Sequence, residues 1–304
     1  MSGARARVAV AAGNTLGEGI VWCPRRRRLF WTDIQAATLW SHDPARGLSR
    51  TWAVPERLAT LALCRDPDWL LLGLASRLAF FHLPSGRLRE VCEVEPDLPT
   101  RLNDGACDRE GRFVFGTLHE PPDGTPAQPV GGFYRLDADL SLHRLALGGV
   151  AISNSLAFSP DGRTLYFCDS PTRVIRRCAY HEDGSVGAAE DWVDLGGIDG
   201  EPDGSAVDAD GGLWNAQWGM GRVVRYTPEG REDVVVSVPA SQVSRPAFGG
   251  EDLDTLFVTS AHDGMPVPRR RRHLASGHVF CCQGGHRGLP EPCFAGLPAD
   301  ASSA

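Results

Sequence analysis

The sequence predicts an all-β chain folded as a six-bladed β-propeller with a central metal site. Three observations carry that prediction. A short apolar strand core recurs six times, glycine and proline are in excess between the recurrences, and lone carboxylates or carboxamides stand at matching points ahead of four of them.

The recurrences follow in order. The first runs from Pro24 into Leu29-Phe30-Trp31-Thr32-Asp33, and the second is Asp68-Trp69-Leu70-Leu71-Leu72-Gly73. The third is Gly111-Arg112-Phe113-Val114-Phe115-Gly116-Thr117, and the fourth is Pro160-Asp161-Gly162-Arg163-Thr164-Leu165-Tyr166-Phe167. The fifth is Asp210-Gly211-Gly212-Leu213-Trp214-Asn215, and the sixth is Asp254-Thr255-Leu256-Phe257-Val258-Thr259. Measured at Leu29, Leu70, Phe113, Leu165, Leu213 and Leu256, the steps are 41, 43, 52, 48 and 43 residues. That spacing fits one four-stranded blade per repeat. A second core follows about ten residues on, as in Phe133-Tyr134-Arg135-Leu136 and Arg222-Val223-Val224-Arg225-Tyr226. The 35 glycines and 22 prolines of the 304 residues suit hairpin turns, above all in the Asp-Gly pairs. Long helical periodicity is absent, which disfavours a Rossmann or barrel enzyme. A β-sandwich is the alternative that six evenly spaced recurrences disfavour. Ring closure implies a single domain over 1–304, with a loose tail at 299–304.

Composition removes several kinds of chemistry. All 31 basic residues are arginine, so a Schiff base or a phosphate-binding lysine is excluded. The net charge of −7 argues against nucleic acid as a partner. No apolar window is long enough for a membrane span. The nine cysteines lack CxxC spacing, and Met1 to Ala12 do not read as a secretory signal, so reduced thiols in a cytoplasmic protein are expected. The runs Arg25–Arg28 and Arg269–Arg272 read as solvated turns rather than an anion-binding patch. No HExxH or HxH pattern and no G-x-S-x-G elbow occurs, so His119 and His262 are expected to be channel or loop residues rather than ligands. Trp218 is expected among the inter-blade packing tryptophans.

Four polar segments precede strand cores: Leu16-Gly17-Glu18-Gly19, Arg101-Leu102-Asn103-Asp104-Gly105, Ile152-Ser153-Asn154-Ser155 and Glu201-Pro202-Asp203-Gly204. Equivalent points in successive blades converge on the axis, so Glu18, Asn103, Asn154 and Asp203 are expected to face one another from the loops that feed the innermost strands. An all-oxygen cluster with two negative charges suits a hard divalent cation. Any one segment alone reads as a turn; four in different blades read as a site.

These motifs, with Phe158-Ser159-Pro160-Asp161-Gly162 and Phe248-Gly249-Gly250, give the chain a resemblance over nearly its whole length to the SMP-30/gluconolactonase/regucalcin-like family. The run Leu213-Trp214-Asn215-Ala216-Gln217-Trp218 resembles its bacterial aldonolactonase branch. The resemblance implies one divalent metal held by Glu18, Asn154 and Asp203, with calcium or zinc ahead of magnesium, manganese and iron(II). It further implies Asp203 as general base, and Arg101, Asn103 and Glu120 as groups that hold the substrate. The implied activity is hydrolysis of a sugar lactone of the arabinono-, xylono- or gluconolactone type by a monomer or weak homodimer. A phosphotriesterase-like hydrolase and a non-enzymatic calcium-binding propeller are the alternatives. Ser155 stands where glycine is common, Leu102 where proline or phenylalanine is frequent, and the loop 121–129 is unusually rich in proline.

Overall fold

The computed structural model describes residues 4–298, so the expected loose tail at 299–304 lies outside the described residues. Its strands form six sheets of antiparallel hairpins in chain order. Blade 1 begins at Gly17–Cys23, blade 2 at Leu58–Leu63, blade 3 at Thr100–Cys107, blade 4 at Ser153–Phe158, blade 5 at Glu201–Val207 and blade 6 at Gln242–Gly249. Each of these first strands contacts the first strands of both neighbouring blades, so the six form the inner ring of a propeller.

The six sequence recurrences are the second strands, from Arg28–Asp33 in blade 1 to Thr255–Ala261 in blade 6. Residues Leu29, Phe113, Leu165, Leu213 and Leu256 have no exposed surface and Leu70 only 2%. A second strand is flanked by pairing partners on both edges and by neighbouring blades on both faces, which is why it reads as a continuous apolar run. First strands are harder to recognise because they carry the polar channel residues.

Closure of the ring comes from the N-terminal segment. Arg7–Val10 supplies the outermost strand of blade 6, while Ala4–Arg5 pairs in parallel with the outermost strand of blade 5. Hydrogen bonds thus join the start of the chain to its last two blades. At the opposite end, residues 287–298 cross the face that holds the ends of the inner strands. Gly288 bridges to Asp208, Phe294 N–H donates to Leu63 O at 2.7 Å and Ala295 N–H to Gly111 O at 2.8 Å. The segment inserts Phe294, fully buried, beside Leu71, Phe80 and Phe113. Leu289, Glu291 and Pro292 help close the channel there, leaving a space of ≈ 50 Å³.

Every first strand contains one extra residue relative to its partner. In blade 1, Glu18 faces Thr32 and Val21 faces Phe30; in blade 4, Asn154 faces Cys168 and Ala157 faces Tyr166. Register shifts also interrupt the first strands of blades 2, 3, 5 and 6. A β-bulge bends its strand and re-aims side chains. Here it brings polar residues to the channel from within the strands, not from the loops before them.

Three arginines of the first run reach a neighbouring blade and the fourth braces its own. Arg25 donates to Arg65 O, Arg26 pairs with Asp68, Arg27 reaches Glu251 at 2.8 Å and Arg28 reaches Asp43 at 3.4 Å. The second run is exposed, around the short helix Val267–Arg270. None of the nine cysteines is disulfide-bonded, and seven are buried. Among the described residues no helix is long and apolar enough to cross a membrane. Truncating a buried aromatic of the C-terminal crossing tests its integration: Phe294→Ala should lower unfolding free energy in urea by about 3–5 kcal/mol, and a loss below about 1 kcal/mol would show a surface appendage.

Candidate metal and substrate site

At the end of the channel where the first strands begin, a cavity of ≈ 290 Å³ opens. It is lined by Glu18, Arg101, Asn103, Asn154 and Asp203, together with Ser170, Trp218 and Asp263. Five of the six expected site residues therefore meet there, although they lie on four blades. Glu120 stands at the rim, just past the second strand of blade 3. The ladders also correct the expected equivalence. Glu18 and Asn154 are the last paired residues before their bulges, whereas Asn103 and Asp203 are the first residues within theirs. Consecutive positions of a regular strand face opposite ways; the extra residue lets both registers reach one cavity.

The bulges have a local conformational signature. Gly19 has φ +59° and a Cβ there would lie 3.3 Å from Thr60 Cα, so glycine answers both the left-handed backbone and the close approach. Ser155 adopts the same φ of 59° without being glycine, at a cost of about 1–2 kcal/mol. Its buried hydroxyl offsets part of that cost. It donates to Asp203 O at 2.7 Å and accepts from Asn215 Nδ2 at 3.0 Å and Ser205 Oγ at 3.2 Å. Ser155 thus ties the strand carrying Asn154 to the one carrying Asp203.

Glu18 and Asp203 face each other electrostatically with little to neutralise them. Glu18 Oε2 accepts the Gly19 N–H at 3.1 Å and Asp203 Oδ1 accepts the Gly204 N–H at 3.0 Å. Their other oxygens have no hydrogen-bond partner among the described residues. Burial pushes Glu18 up to about 7, against the opposing pull of Arg245, the Gly19 N–H and Arg101. Burial and the Glu18 charge hold Asp203 well above its ordinary value. Arg245, beneath the cavity, is itself committed to Asp104 in a buried ion pair. Asp104 also accepts the N–H groups of Gly105 at 2.8 Å and Leu156 at 2.9 Å, so the pair joins blades 3, 4 and 6.

Asn154 is oriented by its neighbours. Ser170 Oγ donates to Pro202 O at 2.7 Å, so it can only accept from Asn154 Nδ2, at 2.9 Å. That leaves Asn154 Oδ1 as the acceptor; it takes one hydrogen bond from Asn103 Nδ2 at 3.3 Å and keeps a second lone pair. Asn103 is in turn fixed by Arg101 Nη1 at 2.8 Å and Ser153 O at 2.8 Å. Two carboxylates and one carboxamide oxygen, short of three acidic, histidine or cysteine ligands, form an oxygen set that fits a hard divalent cation. The unmatched pair of acids, Glu18 half-buried and Asp203 buried, is the observation that makes the fit, because a cation would remove both their desolvation and their repulsion.

Several participants were not singled out from the sequence. Ser170, Arg245 and Arg57 sit in segments without a repeated motif, and Trp218, expected to pack between blades, lines the cavity. Arg245 was accessible through register: it occupies the bulge of blade 6, as Asp203 and Gly204 occupy that of blade 5. His119 accepts the Gln128 N–H at 2.9 Å and so anchors the proline-rich loop.

Comparison with known proteins bears on the family and the fold. Residues 16–262 match the SMP-30/Gluconolactonase/LRE-like region. An L-arabinolactonase of Azospirillum brasilense is 52% identical over 94% of both chains. A 6-deoxy-6-sulfogluconolactonase of Pseudomonas putida is 36% identical over 93% of this chain and 96% of its own. The crystal structure of a calcium-binding protein, regucalcin, from Agrobacterium tumefaciens superposes with a TM-score of 0.90 at 30% identity, covering 97% of this chain and 99% of that one.

The buried acids predict how the chelated protein responds to pH. A folded-state value raised above the ordinary one favours the protonated acid. For Glu18 that contribution is complete below 4.5 and is lost as pH rises through about 7; Asp203 acts in the same direction. Thermal melts after chelation should therefore fall between about pH 5 and pH 8, Asp203→Asn should flatten the fall, and a saturating divalent cation at the higher pH should reverse it. Melts that rise or stay level over that range would contradict the assignment.

Proposed function

The chain belongs to the SMP-30/gluconolactonase/LRE-like family, and from that premise we propose that it is a metal-dependent sugar lactonase that opens an aldonolactone to the aldonic acid. The observation that carries the reading is the pair of carboxylates, Glu18 half-buried and Asp203 buried, sharing one cavity with Asn154 and with the polar groups of Arg101 and Asn103. The bacterial relatives named as lactonases support the substrate class, and the 52% identical arabinolactonase makes L-arabinonolactone the first compound to assay.

The residues divide the work. Glu18, Asn154 and Asp203 would hold the cation, which when bound supplies a Lewis acid for the lactone carbonyl and for the negative charge that develops on it. Asp203 Oδ2, without a protein partner, takes a proton from water as the water oxygen bonds to the carbonyl carbon. With the cation in place Asp203 would be held ionised, the form in which a carboxylate can accept that proton. The ring C–O bond then breaks, and the proton held by Asp203 passes to the departing ring oxygen, which becomes a hydroxyl. Arg101 and Asn103 orient the polyol. Burial and Arg57 lower the Arg101 guanidinium to about 10, which leaves it charged at neutral pH. Trp218 supplies an apolar wall suited to the C–H face of the lactone ring.

Pure cation binding without turnover is the second reading, favoured by the calcium-binding structural relative. A pH-indicator assay over L-arabinono-, xylono- and gluconolactone separates the two. The protein is first chelated, then given calcium, zinc, magnesium, manganese or iron(II) in turn. Hydrolysis that is lost on chelation and restored by one of these metals supports the lactonase; a cation-binding protein that opens none of the lactones supports the alternative. Asp203→Ala should lower turnover by at least about a thousandfold while circular dichroism is preserved. Near-normal turnover in that variant would sink the role given to Asp203.

A further inference from the structure

At the rim of the cavity Arg57, from the connection between blades 1 and 2, grips Glu120. Its Nη1 donates to Oε1 and its Nη2 to Oε2, both at 2.6 Å. Behind Glu120 lies the side chain of Arg101, 7% exposed, whose Nε is 3.5 Å from the same Oε1. That Nε is sealed from solvent and has no hydrogen-bond partner. Arg101 Nη1 is fully engaged by Leu102 O and Asn103 Oδ1, each at 2.8 Å. Its Nη2 has no hydrogen-bond partner among the described residues, and together with Nε it forms the guanidinium edge that a carboxylate can fill bidentately.

A buried, charged N–H without an acceptor is costly, and the nearest acceptor is Glu120. Glu120 covers Nε at 3.5 Å without bonding it, because both its oxygens are held by Arg57. We infer that Arg57 is a positioning residue: it keeps Glu120 from closing bidentately on Arg101 and so leaves Arg101 Nη2 available for an oxygen of the substrate. Without Arg57, Glu120 turns inward, closes on Arg101 Nε and Nη2, and occludes the group that binds the polyol. Glu120 therefore has two states, gripped by Arg57 or closed on both nitrogens of Arg101. Only the first leaves Nη2 free, while Glu120 still offers an acceptor lone pair to a substrate hydroxyl at the rim. The inference rests on the lactonase reading of the site.

The test is a double-mutant cycle of Arg57→Gln, Glu120→Gln and the pair, with L-arabinonolactone at saturating metal, together with a crystal structure of Arg57→Gln. Arg57→Gln should raise KM about tenfold with kcat within about twofold of wild type. In the Glu120→Gln background the same change should add less than about twofold in KM, because no carboxylate remains to turn inward. Arg57→Lys, which keeps one contact but not the fork, should fall between. The crystal structure should show the two Glu120 oxygens hydrogen-bonded to Arg101 Nε and Nη2, each at about 2.9 Å. A wild-type KM in Arg57→Gln, an equal rise in both backgrounds, or Glu120 still off Arg101 Nη2 would each overturn the inference. If the wild-type protein opens no lactone, the lactonase reading fails, and the position of Glu120 in the variant crystal still decides the role of Arg57.

Discussion

Two carboxylates facing one cavity on the propeller axis set the terms for the rest of this molecule. Glu18 and Asp203 come from blades 1 and 5, each with only one backbone N–H for company, and each raises the cost of ionising the other. Left alone, such a pair holds protons. Given a divalent cation, it becomes the strongest feature of the channel. Much of the surrounding structure can be understood as the means of keeping these two acids close, dry and correctly aimed.

The bulges are the main device. One extra residue in every first strand breaks the strict alternation of side chains, so that two consecutive registers can serve the same cavity. The resulting strain is answered locally: Gly19 accepts the left-handed backbone directly, while Ser155 accepts it in exchange for a buried hydroxyl that joins the carbonyl of Asp203. Below the cavity the Arg245–Asp104 pair draws three blades together and places a positive charge under Glu18 without reaching it as a hydrogen-bond partner. Above it, the line from Arg101 through Asn103 and Asn154 to Ser170 and the Pro202 carbonyl orders each carboxamide by the one before it. Pre-orientation of this kind is what lets a small set of donors act on a small polar substrate.

Much of this was legible in the sequence, and the reason is ring symmetry. Leu29, Leu70, Phe113, Leu165, Leu213 and Leu256 mark second strands because those strands are buried on every side, and a regular spacing of buried strands has few architectures open to it. Glu18, Asn154 and Asp203 were legible because a lone acid or amide ahead of an apolar stretch recurs at matching points of different blades. What escaped were residues whose importance comes from contacts between blades. Ser170, Arg245 and Arg57 carry no local pattern; Ser170 matters through Pro202, 32 residues away, and Arg57 through Glu120, 63 residues away. The placement of the site in bulges rather than loops also escaped, since an added residue leaves no mark on composition. The chain lacks lysine, yet its arginines cover two separate needs, clasping blades at Arg25, Arg26 and Arg27 and fixing the polar side chains Glu120 and Asn103 at Arg57 and Arg101.

The central claim is that Glu18, Asn154 and Asp203 form one cation site, and anomalous diffraction from crystals soaked in manganese or zinc tests it most directly. The account predicts a single strong peak in the cavity, within about 2.0–2.5 Å of one oxygen from each of these three side chains, and its loss in Asp203→Ala crystals treated alike. A cavity without a peak under saturating metal, or a peak that contacts none of the three, would contradict it.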